Sequence, residues 1–188
     1  MTREWDALGE DAIASRYTWP AFPWRRLNMV FDVDGEHAGA DGTSDSLTSE
    51  HDRWLVRFVR RDAEVVIVGA ASVRTEGWFL PPAGTLCVVS RSNSLPDNCP
   101  DPQRVKLITL EQLDTETQHL SRVLCEGGAH VAQQLTELGF FDELCVTFPL
   151  TNSLPSLPDW LGAAKAWTCV SDIVDDTRRF TIWRRGNE

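Results

Sequence analysis

Residues 124–135 read LCEGGAHVAQQL: a short apolar run, an acid, two glycines, then a helical pattern. The apolar run predicts a buried strand ending at Glu126, and Gly127-Gly128 stands at the mouth of the next helix. Two bare backbones at a helix start expose unpaired N–H groups and the positive end of the helix dipole, which together suit a phosphate. A loop that needs glycine for positive φ would show the same two letters. The rest of the chain has to separate the two readings.

Downstream, Val131, Leu135 and Leu138 give the helix expected over 128–138 an apolar stripe, and Gly139 suits its C-terminal cap. DELCVTF follows as a strand. Upstream, RVLCE reads as a strand, LEQLDTETQHL as a helix, VKLIT as a weak strand and TLCVVS as a buried one. ASVRTE makes a short helical turn. EVVIVG is a continuous apolar run of strand length, as in the centre of a parallel sheet. Before it, Ser49 and Asp52 form a capping-box-like helix start, with Trp54, Leu55, Phe58 and Val59 on the apolar face. LNMVFDV, from Leu27, predicts the first strand, ended by Asp34-Gly35, with a Gly-, Asp- and Ser-rich loop running to Thr48. At the other end, AWTCVSDIV and RRFTIWRR, joined through Asp175-Asp176-Thr177-Arg178, predict an antiparallel hairpin. Residues 1–24 read as an arm packed on a single domain of residues 25–188. The expected fold is α/β: a largely parallel central sheet, helices on both faces, and antiparallel strands at the C-terminus.

The totals narrow the function. With 188 residues and 42% hydrophobic content the chain can bury a substantial core. A formal charge of −10 argues against nucleic-acid binding, which needs a basic face. A small anionic ligand needs only a local cluster, and RWLVRFVRR supplies Arg53, Arg57, Arg60 and Arg61. An arginine face open to solvent is the competing reading. No apolar run approaches the ~20 residues of a membrane span, and the first twenty residues do not read as a signal peptide. Cys87, Cys99, Cys125, Cys145 and Cys169 are odd in number and irregularly spaced, and four of them lie in expected strands. Free cysteines used as small hydrophobes point to a reducing cytoplasm and away from a zinc site.

In parallel sheets ligands bind beyond the carboxyl ends of the strands. Here those ends read Asp34-Gly35, Gly69-Ala70-Ala71-Ser72, Ser90-Arg91-Ser92 and Glu126-Gly127-Gly128. Four such loops on one edge predict a cleft with hydroxyls, backbone donors, an arginine and two carboxylates.

NMVFDVDG, DGTS, VVIVGAASVRTEGW, VVSRS and LCEGGAHVAQQLTELGFFDELCVTF follow one another in the order found in a known family. Over roughly residues 17–150 the chain resembles the reductase domain of bacterial riboflavin-biosynthesis deaminase/reductases and the stand-alone pyrimidine-reductase-like proteins. The resemblance implies a dihydrofolate-reductase-like fold, NADPH as cofactor, a heterocyclic small-molecule substrate and a homodimer. It assigns the Gly69–Glu76 turn (Gly69, Ala70, Ser72, Val73, Glu76) and the helix start Gly127, Gly128, Ala129 and His130 to the cofactor. Ser46 joins these, and Ser90 and Arg91 fall where a Ser/Arg pair often holds the adenosine 2′-phosphate. Asn28, Ser44 and Arg60 fall at substrate positions. In the family, a ribose carbonyl of an aminouracil phosphoribosylamine is reduced. Glu126 is the first candidate to handle the proton and Asp34 the second, a plain Asp-Gly turn being the alternative for Asp34. Asp32 stands where the family has serine, and Ser72 where it has threonine. A pterin or folate reductase of the same fold, and a non-catalytic nucleotide binder, remain alternatives. The dimer has a second ground in the apolar FTIW segment (Phe180–Trp183), expected at a sheet edge that needs cover.

Overall fold

The computed structural model describes residues 4–92, 94–161 and 167–186. Within them one eight-stranded sheet runs in the order β4-β3-β2-β5-β1-β6-β8-β7. The strands are β1 (Trp24–Val30), β2 (Val65–Gly69), β3 (Thr85–Val89), β4 (Val105–Ile108), β5 (Arg122–Cys125), β6 (Glu143–Pro149), β7 (Trp167–Val174) and β8 (Arg178–Arg185). From β4 to β6 all neighbours pair in parallel, whereas β8 is antiparallel to both β6 and β7. This is the architecture expected from the sequence. Ala166, expected to open β7, lies outside the described residues, as does the rest of 162–166.

Five consecutive buried residues make β2, because helices cover both faces and neither face can be polar. Val65 and Ile67 enter one core with Leu113 of α5 (Leu110–Thr117) and with Val131 and Leu135 of α6 (Ala129–Glu137). Val66 and Val68 enter the other, with Leu55 and Val59 of α3 (Glu50–Arg61) and Val73 of α4 (Ala70–Glu76). Ser49 Oγ accepts the Asp52 amide at 3.2 Å and so caps α3. Gly139 takes φ +70° past α6, and the Gly139 and Phe140 amides close onto the carbonyls of Thr136 and Leu135. The arm folds as two helices, α1 (Glu4–Leu8) and α2 (Glu10–Tyr17), whose Trp5, Ile13 and Tyr17 are buried in the same core as Val66.

Two expectations are corrected here. The first strand begins at Trp24, within WRR, and ends at Val30. Arg26 is fully buried at its start and paired with Glu143, so its charge does not keep the segment out of the sheet. After Phe31 the Asp32 carboxylate accepts the amides of Asp34 and Glu36, turning the chain before Asp34. The FTIW segment is not an edge: β8 lies between β6 and β7, and Phe180, Thr181, Ile182 and Trp183 are all buried. Among the described residues the sheet ends at β4 and β7, so the FTIW ground for a dimer falls away.

Candidate active site

A cavity of about 1110 Å³ opens along the carboxyl ends of β3, β2, β5 and β1. A pocket for one small ligand holds ~300–1,000 Å³, so this volume suits a large ligand or two ligands side by side. Its walls differ chemically from one half to the other.

The half over β2, β3 and α6 is built mainly from backbone and hydroxyls, with Arg91 and the Glu76 carboxylate. Gly69, Ala70, Ser72, Val73 and Glu76 line it, as do Ser90, Arg91, Gly128, Ala129 and His130. Among the described residues no side chain caps α6, leaving its first amides open. The end of β2 and the start of α6 press together: the Gly69 amide donates to the Gly127 carbonyl at 2.7 Å. A Cβ on Gly128 would meet Ser72 Oγ at 2.8 Å. Gly127 has φ +95° and Gly128 has φ −62°, with a cis peptide between them. The first glycine therefore answers to backbone conformation and the second to close approach. Ser90 Oγ meets Ser92 Oγ at 3.0 Å beside the exposed Arg91, for which the described residues give no ion pair.

The half over β1, β6 and α3 is built from side chains already paired with one another. Asp52, Val56 and Arg60 recur every fourth residue on α3 and line the cavity together with Asn28, Ser44, Phe79 and Glu126. Arg60 grips Glu126 through both guanidinium arms, Nε to Oε1 at 2.7 Å and Nη2 to Oε2 at 2.5 Å. The guanidinium also lies 3.9 Å from the centre of the Phe79 ring. Asp52 accepts the Thr147 hydroxyl at 2.6 Å. Burial pushes the Asp52 carboxyl above its ordinary value, against the Thr147 bond and the charges of Arg178 and Arg53, while Glu126 adds to the rise. Glu76 turns away from a purely cofactor role, since its carboxylate accepts the Ser44 amide at 3.0 Å and ties the 36–48 loop to α4.

Most of the expected site residues thus meet in one cavity, and three do not. Asp34 is exposed at the tip of its turn, and Ser46 is exposed on the loop beside Gly39; neither lines the cavity. Gly127 stands behind the wall, its carbonyl spent on Gly69. Asp52 was missed as a site residue. Its position at a helix start reads as a cap, and its partner Thr147 lies 95 residues away with no local signal. Among the described residues no group of His, Cys, Asp or Glu is set to hold a metal ion, and no helix is long and apolar enough to cross a membrane.

Fold and cavity together define an α/β protein whose candidate site lies at the carboxyl edge of a largely parallel sheet. Residues 23–151 match the RibD C-terminal domain, and the chain belongs to that family. Among solved structures it is similar to a pyrimidine reductase-like protein of Corynebacterium diphtheriae, with 17% identity and a TM-score of 0.67 over 88% of this chain and 93% of that one. It is also similar to dihydrofolate reductase of Enterococcus faecalis complexed with NADP(H), with 17% identity and a TM-score of 0.65 over 87% and 97%. The third is a deaminase/5-amino-6-(5-phosphoribosylamino)uracil reductase of Thermotoga maritima, with 18% identity and a TM-score of 0.66. There 96% of this chain covers 61% of that one. At these identities the likeness shows a dihydrofolate-reductase-like fold. No curated protein sequence matches the chain.

Proposed function

We propose that the protein is an NADPH-dependent reductase of a pyrimidine-type heterocycle, resembling 5-amino-6-(5-phosphoribosylamino)uracil reductase. The observation that carries this reading is the division of one cavity into an open, backbone-lined half and a side-chain half that holds the Arg60–Glu126 pair and Asp52. The first half fits a dinucleotide. Open amides at α6 and the close approach at Gly69 and Gly128 suit a pyrophosphate. The Ser90–Ser92 hydroxyls with Arg91 suit a 2′-phosphate, to which guanidinium gives charge-assisted bonds.

The bound nicotinamide supplies hydride chemistry, for which reacting atoms must be held close and aligned. This chain's residues do the holding. Phe79, fixed over Arg60, offers a flat apolar wall, and Asn28 offers an amide to a heterocycle edge. Glu126, held by both arms of Arg60, positions a proton donor or water at the developing alkoxide. Loop 36–48, pinned through Ser44 to Glu76, forms part of the cavity wall through His37, Gly42 and Ser44.

Following NADPH absorbance with 5-amino-6-(5-phosphoribosylamino)uracil tests the reading. Turnover is expected, and NADPH binding without turnover on any pyrimidine would overturn it. Asp52 supports a second reading, a pterin-type substrate. A buried carboxyl that accepts the Thr147 hydroxyl still has lone pairs for the ring N–H and 2-amino donors of a pterin edge. Turnover of dihydropterin but not of the uracil would select it.

A further inference from the structure

The family match ends at residue 151 and begins at 23, yet contacts from both flanking segments meet on one residue of α3. From the arm, Trp5 stacks on the His51 ring, centroids 4.4 Å apart and planes 18° from parallel. From the turn between β7 and β8, the Asp175 carboxylate meets His51 Nδ1 at 2.8 Å. His51 immediately precedes Asp52.

Both grips are firm. Trp5 is buried and also packs on Phe180 and, edge-on, on Trp54. Asp175 is buried, and its other oxygen accepts the amides of Thr177 and Arg178 at 2.7 and 2.6 Å. The arm also holds the far end of the helix, where Trp19 Nε1 donates to the Val59 carbonyl at 3.2 Å. A helix advances about 100° per residue, so fixing His51 from outside fixes where Asp52 points inside. Leu55, Val59 and Arg60 anchor the later turns of the helix; its first turn, which carries Asp52, is held by Thr147 on the cavity side and through His51 on the other. We propose that Trp5 and Asp175 clamp His51 and thereby set the Asp52 carboxyl in the cavity, which makes the arm and the hairpin turn positioning parts of the substrate half. The proposal rests on the reading of Asp52 as a substrate-side group.

None of the clamp residues belongs to β2, β3, α4 or α6, so the cofactor half should not feel its loss. The test uses the full chain, with the Asp52 carboxyl carbon followed by NMR in ¹³C-Asp protein and assigned with Asp52→Asn. Charges that bear on it (Arg53, Arg178 and Glu126) stay in place. In His51→Ala the Asp52 titration midpoint should move while NADPH affinity stays within about twofold, far less than the tenfold that 1.4 kcal/mol represents. His51→Asn, which keeps a donor facing Asp175, should restore the parent midpoint. KM for the uracil substrate should rise about tenfold in His51→Ala, the scale of one weakened charge-assisted hydrogen bond, and recover in His51→Asn. An unmoved midpoint in His51→Ala overturns the clamp. So does a parallel loss of NADPH binding, which marks general loosening, or an Asn variant that behaves like Ala, which marks a charge effect. If the parent turns over no pyrimidine, the proposed function fails, while the midpoint still decides the clamp.

Discussion

Two arginine–glutamate pairs sit at opposite ends of the same sheet. At the amino ends of the strands, Arg26 and Glu143 face each other across β1 and β6 with both side chains fully buried, Nε to Oε1 at 2.6 Å. Arg184 takes the second oxygen of Glu143 at 2.7 Å, and Tyr17 O accepts from Arg26. At the carboxyl ends, Arg60 and Glu126 make an equally direct pair whose side chains keep 25% and 8% exposure and face the cavity. The chemistry is the same and the surroundings differ. A carboxylate enclosed by two arginines and covered by the arm has nothing left to offer a ligand. A carboxylate at the edge where the parallel strands all release their loops has a free face, and that is where this fold places ligands.

The comparison can be broken most severely at the enclosed pair. Glu143→Gln leaves the fully buried Arg26 without a counter-charge and should cost about 3–5 kcal/mol, the cost of removing one member of a buried pair. The check is chemical denaturation; any cofactor binding that survives in the folded fraction should be normal. Glu126→Gln should do the reverse. Turnover should fall ~10²–10⁴-fold, the usual worth of positioned acid–base help, with NADPH affinity retained. A Glu126→Gln protein that unfolds but turns over normally per folded molecule would make both pairs structural.

The open half can be sharpened next. Gly128 has an ordinary φ, and its crowding neighbour is the movable Ser72 hydroxyl. Gly128→Asp should therefore melt near the parent without cofactor, and lose the stabilisation NADPH gives, about 2.7 kcal/mol at a hundredfold excess over Kd. Thermal scans with and without NADPH read both values. Arg91→Ala should weaken NADPH by ~1.5–3 kcal/mol, the range for a hydrogen bond to a charged group, and leave NADH nearly unchanged by titration. Equal losses for the two cofactors would remove Arg91 from the 2′-phosphate.

The smallest effect concerns Asp52 and carries a sign. Its folded carboxyl is held above the ordinary 3.8, so the folded state takes the proton more readily than the unfolded chain. Charging it thus lowers stability as pH rises through the folded value, and the cost is absent below the unfolded one. Asp52→Asn should raise Tm slightly at pH 7, with the gain vanishing below about pH 4, while KM for the substrate worsens.

The sequence carried the parallel sheet because VVIVG, TLCVV and RVLC are apolar without alternation, a pattern that only strands covered on both faces show. It carried the open, backbone-lined half of the cavity for a similar reason. Glycine at a helix mouth, a serine after a strand and an uncapped helix start are local devices, each written in a few consecutive letters. The half lined by paired side chains was harder to see. Arg60 and Glu126 were both singled out, yet nothing local says that they bind each other across 66 residues. Asp52 looked like a cap, and Asp34 looked like a strand end until Asp32 turned the chain early.

What the sequence determined by itself is therefore whatever hydrophobic periodicity and short-range backbone chemistry encode: the strands, the helices and the glycine-rich start of α6 at Gly128. The tertiary structure alone decided that FTIW lies inside the sheet, that Asp52 meets Thr147, and that Trp5 and Asp175 reach the same histidine. Those facts depend on strand order and on which helix face turns inward. Both are settled by the packing of distant segments, where each pairing gains its energy only after the others have formed.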